Sequence, residues 1–491
     1  MDVMDTKPKK DSLYNFGFRG WILVIYQAIG YAVYTALTNY PSNVMSAYYG
    51  GATTSTLMSL IGTPLGFVIN YLILAPNVGK VKSWKKVSLI CFAIGLVASV
   101  SIMVIPPAED QSKINWLWAF AYLVNNTCMS YGGCSFTTYI IGNWFPRKRG
   151  MVMGISTMAF PIVTGICLSL FMTVYYGALA RTGSMVKANF IAFAPWWALA
   201  IIGIILFAIF IKDYPEQVGC YRDNDPTFTK EQAMEMMMKE IENRRTSVWK
   251  RKVIWGCVDW YMISLPAGWL LSCAMAYMVQ VIPVLYSYGP ALDVLAVPGF
   301  SLMSSGANAV LFGLAIFALF GSWYLGVIDS KYGPKLAIFI TSLVMLAAGI
   351  LGMIHNIICT VAATWLLGLF MGASSNFGLS AIVRYWRGED FQAVMTGAPP
   401  VGTVVSAPLS YVMAALGKVN YDYAFLLIAI LAVVCAVMNR FFNEKRLYDY
   451  DRKLRVAAGK EPDDVLYNRI GMEARQRAAM KEMKAAKKAG K

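Results

Sequence analysis

Charge is what this chain is short of. Of its 491 residues only 14% are Asp, Glu, Lys or Arg, against 57% apolar ones, and the mean hydropathy is +0.52. A chain so long and so poor in charge cannot be a set of soluble domains, and it reads as a polytopic membrane protein. It has one histidine, His355. A proton relay built on imidazoles therefore has little material. The nine cysteines fall mainly inside apolar runs and form no tight pairs, which leaves no zinc knuckle or disulfide framework and makes them small core residues. No nucleotide-binding glycine loop is present, so nothing in the sequence points to ATP-driven transport by this chain alone, and no metal or other cofactor is expected. Strand-like segments of about ten alternating residues are missing too, which excludes a transmembrane barrel.

What the chain does have is apolar runs of about 20 residues, the length that spans a bilayer as helix. Twelve can be placed, at 21–40, 54–75, 87–105, 116–141, 151–176, 190–211, 257–286, 302–327, 336–354, 357–383, 393–416 and 423–442. The first lacks a small-residue cleavage site and reads as a span, not a removed signal. With the long middle loop and the tail left aside, the short loops of one side carry 15 Lys or Arg and those of the other carry 4, Lys113, Arg181, Lys187 and Lys418. That asymmetry predicts both termini on the cytoplasmic side of the cytoplasmic membrane. The net charge of +16 is then mostly topology and tail, and calls for no nucleic-acid partner.

The map is organised around GNWFPRKRGMVMG, residues 142–154, which joins the fourth and fifth runs and puts Arg147, Lys148 and Arg149 between them. Three cations so close together cannot sit in hydrocarbon, and the expectation is a loop held in water. It has a counterpart, RYWRGEDF at 384–391, between the tenth and eleventh runs. Likewise GVIDSKYGPK at 326–335 answers NVGKVKSWKKV at 77–87, where Gly79, Lys85 and Lys86 are kept and Ser83 stands near the place of Asp329. The glycines Gly326 and Gly333 permit a tight turn, Lys335 stays in water, and Asp329 is expected to cap the next helix. These repeats divide the chain into a segment 1–20, a six-helix half 21–211, a middle loop 212–256 with an amphipathic helix, a second half 257–442 and a basic tail 443–491.

The aromatic-Pro-basic-basic-basic-Gly loop and the G-x-x-x-D-x-x-G-x-K loop resemble those of major facilitator transporters, and within them the oxalate/formate antiporter-like and monocarboxylate porter branch. The resemblance covers most of 21–442 and implies an all-α fold of twelve helices in two pseudo-symmetric halves, with a site between the halves near mid-membrane. It implies a secondary transporter of an organic solute working by alternating access, not an enzyme, monomeric in the bilayer. Porters of that branch hold a carboxylate with cations on helix 8 and on helix 11 or 1. Those runs contain none here, and a dianion would enter without a countercharge at a cost of about several kcal/mol. The expected cargo is therefore a small or mid-sized solute, such as an amphipathic monoanion or monocarboxylate. The alternatives are a dicarboxylate/formate-type antiporter and, with less support, a channel or a membrane-embedded enzyme, which would need clustered catalytic groups at one depth.

Neutral polar and aromatic stripes supply the candidate cavity. Gln27, Tyr31 and Tyr34 share a face of helix 1, Tyr131 lies on helix 4, and Trp269, Tyr277 and Gln280 on helix 7. Asn376 lies on helix 10, and Thr403 and Ser406 on helix 11. Ser and Thr also bond back to their own helix, and such stripes equally serve helix packing. Asp259, one turn into helix 7, is the candidate coupling acid. The plainer reading places it at the interface near the positive helix end, with Arg251 or Lys252 beside it.

Overall fold

In a computed structural model the described residues are 14–44, 65, 69, 81–106, 113–146, 148–225, 229–297, 305–395 and 406–460. The run at 54–75 apart from 65 and 69, together with Gly79, Arg147 and Thr403, lies outside them. So does part of the run at 393–416. Every regular element among the described residues is helical, and nine helices are long and apolar enough to cross a membrane.

The first half contains α1 (Gly17–Val44), α2 (Trp84–Val104), α3 (Trp116–Met129), α4 (Phe136–Trp144), α5 (Arg149–Thr157), α6 (Leu168–Thr182) and α7 (Met185–Phe210). Helices α3 and α4 are one span interrupted by a π-helical turn, Ser130–Ser135, and α5 and α6 are another, interrupted at Ile162–Cys167. The middle segment carries α8 (Lys230–Arg245). The second half follows as α9 (Val258–Tyr286), α10 (Gly306–Tyr332), α11 (Pro334–Met353), α12 (Ile357–Tyr385), the short α13 (Gly388–Met395), α14 (Ser406–Val419) and α15 (Tyr421–Phe441). A last helix, α16 (Glu444–Ala457), lies beyond the final span.

Local chemistry sets the helix starts. Ser83, Asn115, Ser305, Asn356, Asn420 and Asn443 each stand just before a helix and accept from one or two of its first N–H groups. Thr229 and Gln232 exchange side-chain and backbone bonds at the start of α8. Between α10 and α11 the chain turns at Gly333, whose φ of 95° suits glycine, and Pro334 opens α11 with its fixed φ.

The repeat shows in how the helices are tied. Lys85, at the start of α2, donates from Nζ to Ala208 O in the last turn of α7 (2.6 Å). Lys335, at the start of α11, does the same to Phe442 O, just past α15 (2.7 Å). Each lysine satisfies an orphan carbonyl at the negative end of the last span of its half. The halves meet where α5 and the π turn after it lie along α10 and α12. Close approach there depends on Gly165: an added Cβ would be 3.0 Å from Leu311 O and would collide with Ala315.

Candidate functional site between the halves

Helix α1 is the element that both π turns are fastened to. A π turn leaves carbonyls without their usual helical donors, and side chains of α1 supply replacements. Gln27 donates from Nε2 to Cys134 O (3.3 Å) in the first π turn, and Tyr40 donates to Val163 O (2.7 Å) in the second. Gly132 and Gly133 make the first turn thin enough for this. A Cβ at Gly30 of α1 would run into Gly133 O, and one at Gly132 would press on Phe92 of α2 at 2.8 Å. The paired glycines in an otherwise apolar run were the signal for this break.

Beside that turn, polar groups of the two halves come together. The Tyr31 side chain is half-buried and interacts with Gln27 of its own helix and with Ser375 of α12. Asn376, next along α12, donates to Thr157 Oγ1 of α5 (2.9 Å), a hydrogen bond across the interface. Ser322 of α10 faces Gly372 of α12, whose missing side chain leaves it room. Gln27 Oε1 and Ser322 Oγ are buried without a hydrogen-bond partner among the described residues. Buried acceptors and hydroxyls of this kind are costly when dry and are satisfied by water or ligand. Thr157, Ser322 and Ser375 were not singled out by the sequence stripes, because single hydroxyls in apolar helices carry no periodic signal.

The remaining stripe residues go elsewhere. Tyr34 interacts with Ser130 and Tyr122 inside the first half, and Tyr131 stacks on Phe136 at 5.3 Å. On α9 the stripe turns into its own half. The Tyr277 hydroxyl pairs with Thr364 Oγ1 (2.6 Å), and Tyr277 and Gln280 line a crevice with Val284, Met413, Tyr421, Ala424 and Phe425. Trp269 is half-buried, with its Nε1 unpaired among the described residues. Ser406 opens α14, its side chain outside the description. The structure thus brings Gln27, Tyr31 and Asn376 to the interface but does not bring Tyr277 or Gln280 to them. Helical period identifies a polar face without saying which neighbour it meets.

At the end of the bundle where the described residues begin and end, Lys148 and Arg149 of the first hairpin are covered, contrary to the expectation of a water-held loop. Lys148 and Arg149 are each 6% exposed. The Lys148 N–H donates to Asp223 Oδ1 (2.9 Å), and its Nζ reaches Asp223 O (3.0 Å) and Asn15 O (3.2 Å). Arg149 donates to Gly142 O (2.7 Å) and lies 4.4 Å over the Phe391 ring of α13, in the other half. The middle segment and the start of the chain fold over these cations, which the loop sequence alone could not show.

Three other expectations are corrected. Asp329 does not cap α11: it lies within α10 a turn before its end, 4% exposed, and its side chain interacts with Ser380 and Arg384 of α12. Asp259, 2% exposed, is held by Arg446 and not by Arg251 or Lys252. Arg446 grips it with Nε and Nη2 (2.6 and 2.7 Å), and the Asn443 N–H adds a third bond (2.9 Å). Lys335 is only partly exposed, and its Nζ bonds the end of α15, as above. At Gly333 an added Cβ would come within 3.2 Å of Arg384 Nε, whereas at Gly326 it would meet Gly154 Cα at an ordinary 3.8 Å.

Second-half counterparts of the first-half loop are equally enclosed. Arg455 of α16 is 2% exposed. It bonds Glu389 Oε1 (2.8 Å), Asp451 Oδ2 (3.0 Å) and Asp390 Oδ2. Asp390 is fully buried and also accepts from Ser247 Oγ (2.5 Å). Burial pushes its carboxyl up to about 6, with Arg455 pulling the other way.

No family model matches the chain. Among curated proteins, a stretch of 125 residues is 30% identical to a glucose-6-phosphate exchanger of Xenopus tropicalis, covering 25% of this chain and 22% of that one. The chain therefore aligns with about a fifth of that relative's length. Among solved structures it is similar to the major facilitator proton:xylose symporter XylE bound to 6-bromo-6-deoxy-D-glucose, with TM-score 0.61, 13% identity and coverage of 86% and 96% of the two chains. It is also similar to the human organic anion transporter MFSD10, with TM-score 0.60, 11% identity and coverage of 85% and 99%. At such identities the likeness establishes the fold. The chain has the all-α, twelve-helix major facilitator fold in two pseudo-symmetric halves.

Proposed function

We propose that this chain is a secondary transporter that carries a small or mid-sized organic solute, neutral or an amphipathic monoanion, by alternating access between its two halves. The observation that carries this reading is the interface itself. Gln27, Tyr31, Ser322, Ser375 and Asn376 converge there from both halves, two of them with unpaired buried polar atoms, and no Lys, Arg, Asp or Glu accompanies them among these contacts. A tyrosine hydroxyl, an amide and serines both donate and accept, which suits a solute held without ion pairing. A dicarboxylate of the oxalate kind lacks a countercharge here and is disfavoured. The names of the similar proteins, a sugar-phosphate exchanger, a xylose symporter and an organic anion transporter, agree with an organic cargo. The short-loop charge asymmetry supports a protein of the cytoplasmic membrane with both termini in the cytoplasm, and a monomer suffices for the mechanism. Asp259 serves to tie α16 to α9 through Arg446 on this reading, and not to couple ions.

Thermal-shift screening of the purified protein against monocarboxylates, phenolics, steroids and sugars tests the cargo class, because a ligand bound only by the folded state raises apparent stability. Hits are then assayed for uptake in proteoliposomes. Saturable exchange of oxalate with high affinity, in the absence of any response to neutral or singly charged solutes, overturns the proposed cargo.

A further inference from the structure

We infer that Arg455 is the positioning residue of the gate between the halves: by holding Asp390 and Glu389 it sets Phe391 against Arg149 and Gly142. The inference rests on the alternating-access reading for its meaning, but not for its geometry.

Phe391 is the neighbour of Asp390 in α13, a helix of only eight residues. Its ring is 2% exposed and reaches into the first half. It lies 4.4 Å from the Arg149 guanidinium and 6.0 Å from the Tyr139 ring, and its edge would be 3.1 Å from a Cβ on Gly142. Gly142 has no side chain, and the space thereby left is filled by the Arg149 guanidinium together with the edge of the Phe391 ring. Here, among the described residues, a side chain crosses from one half to the other. Any parting of the halves there must break the cation–ring contact.

What fixes Phe391 is on its other side. Arg455 presents its fork to Asp390 and Glu389 at the first turn of α13, and Asp451, one turn back on α16, braces the guanidinium. Asp451 accepts in turn from Trp249 Nε1 (2.8 Å), and Trp249 packs edge-on against Trp386 at 5.6 Å, just ahead of α13. Lys460, past α16, bonds Thr246 O (2.7 Å) and Oγ1 (2.9 Å). The segment 246–249 and α16 therefore enclose α13 as one body. A two-turn helix so anchored moves as a unit with the second half, and Phe391 parts from Arg149 only when that half moves. Without the anchor, α13 is free to yield and the closure at Gly142 loosens. The helix beyond the last span, remote from the cargo path, is thus part of the gate.

Hydrogen exchange of the full-length protein in lipid nanodiscs, with no solute added, tests this. Arg455→Gln is expected to speed exchange roughly tenfold over both 444–457 and 142–153, and Phe391→Ala to speed it over 142–153 alone. That order, with the anchor acting on the gate but the gate not on the anchor, is what positioning requires and mere destabilisation would not give. Exchange over 84–104 serves as the control for general loosening and is expected to stay at the wild-type rate. Should Arg455→Gln not fold, Asp390→Asn with Arg455→Gln removes both charges and is read by the same criterion. The inference is overturned if the Arg455 variant loosens 444–457 while 142–153 keeps its wild-type rate. Because no transport is measured, a failed cargo assignment leaves this result standing, and the reverse also holds.

Discussion

The hairpin that leads from the fourth span to the fifth and the one that leads from the tenth to the eleventh occupy equivalent places in the two halves, yet their charges differ: the first carries cations alone, whereas the second sets Glu389 and Asp390 beside Arg384 and Arg387. Lys148, Arg149 and Asp390 are buried and Glu389 is partly so, and each hairpin is answered by the segment that leaves its half: Asp223 of the middle segment for the first, Arg455 of α16 for the second. By contrast, Lys85 and Lys335 keep the same sign because both meet the same thing, the carbonyl end of a last span. The repeat therefore preserves geometry, and the sign of a charge is kept only where a backbone dipole fixes it. Lys148, whose Nζ likewise meets backbone carbonyls, is again a cation, whereas Glu389 and Asp390 meet the Arg455 side chain and are acids.

The hardest blow to this symmetry is Arg455→Gln. It strands the buried Asp390 and the partly exposed Glu389, and removing one partner of a buried pair costs about 3–5 kcal/mol. Lys148→Gln is the matched change in the first half. Its backbone N–H still holds Asp223 Oδ1, so the loss should be smaller, about 1–2 kcal/mol. Thermal unfolding in detergent compares the two, and equal losses would show that the halves are not held as unequally as the contacts indicate. Next in size is a pH effect at Asp390. Its carboxyl is raised from 3.8 to about 6 by burial, against the pull of Arg455, with Ser247, Glu389 and Asp451 also facing it. The folded state thus binds a proton more tightly than the unfolded one, and this group's contribution is fullest below pH 4 and lost as pH rises through about 6. Asp390→Asn should flatten that fall in the difference between variant and wild-type stability. A parallel pair of curves from pH 4 to 7 would deny the shift. Smaller again, Lys85→Met and Lys335→Met should each cost about 1 kcal/mol by leaving a helix-end carbonyl unpaired. If only one of them does, the two lysines are not equivalent.

Much of this comparison was legible in the sequence, for definable reasons. Apolar runs of span length and the loop motifs depend on local composition, and the helices begin within a few residues of where those runs place them, as α2 and α11 do. The pairing of segments far apart in sequence was not legible. Arg455 looked like one more cation of a basic tail, although Leu447, Tyr448, Asp451, Leu454 and Arg455 recur at helical spacing on one face of α16 and are its inward side. Asp223 in a loop gave no sign of its lysine. For the site, the α1 stripe was found because Gln27 and Tyr31 lie a turn apart on a helix that meets the other half. The α9 stripe has the same spacing but meets α12, α14 and α15 of its own half, so its period carried the same signal with a different meaning.

That difference between α1 and α9 yields the prediction with the least effect on stability and the most on function. Tyr31→Phe removes a hydroxyl at the interface between halves, beside Gln27 and Ser375, where water or cargo can replace what is lost. The folded state should change by about 1 kcal/mol or less, while apparent affinity for a cargo identified by thermal shift changes, since the hydroxyl is one of few polar groups there. Gln280→Ala truncates a side chain that lines a crevice with Met413, Tyr421 and Phe425 inside the second half. It should leave affinity as it was and act, if at all, through stability. Both variants are to be measured for surface level, unfolding temperature and uptake in one system. If Gln280→Ala alters affinity as much as Tyr31→Phe does, then α9 also faces the cargo path in another state of the cycle. In that case the separation of the two stripes belongs to this conformation alone.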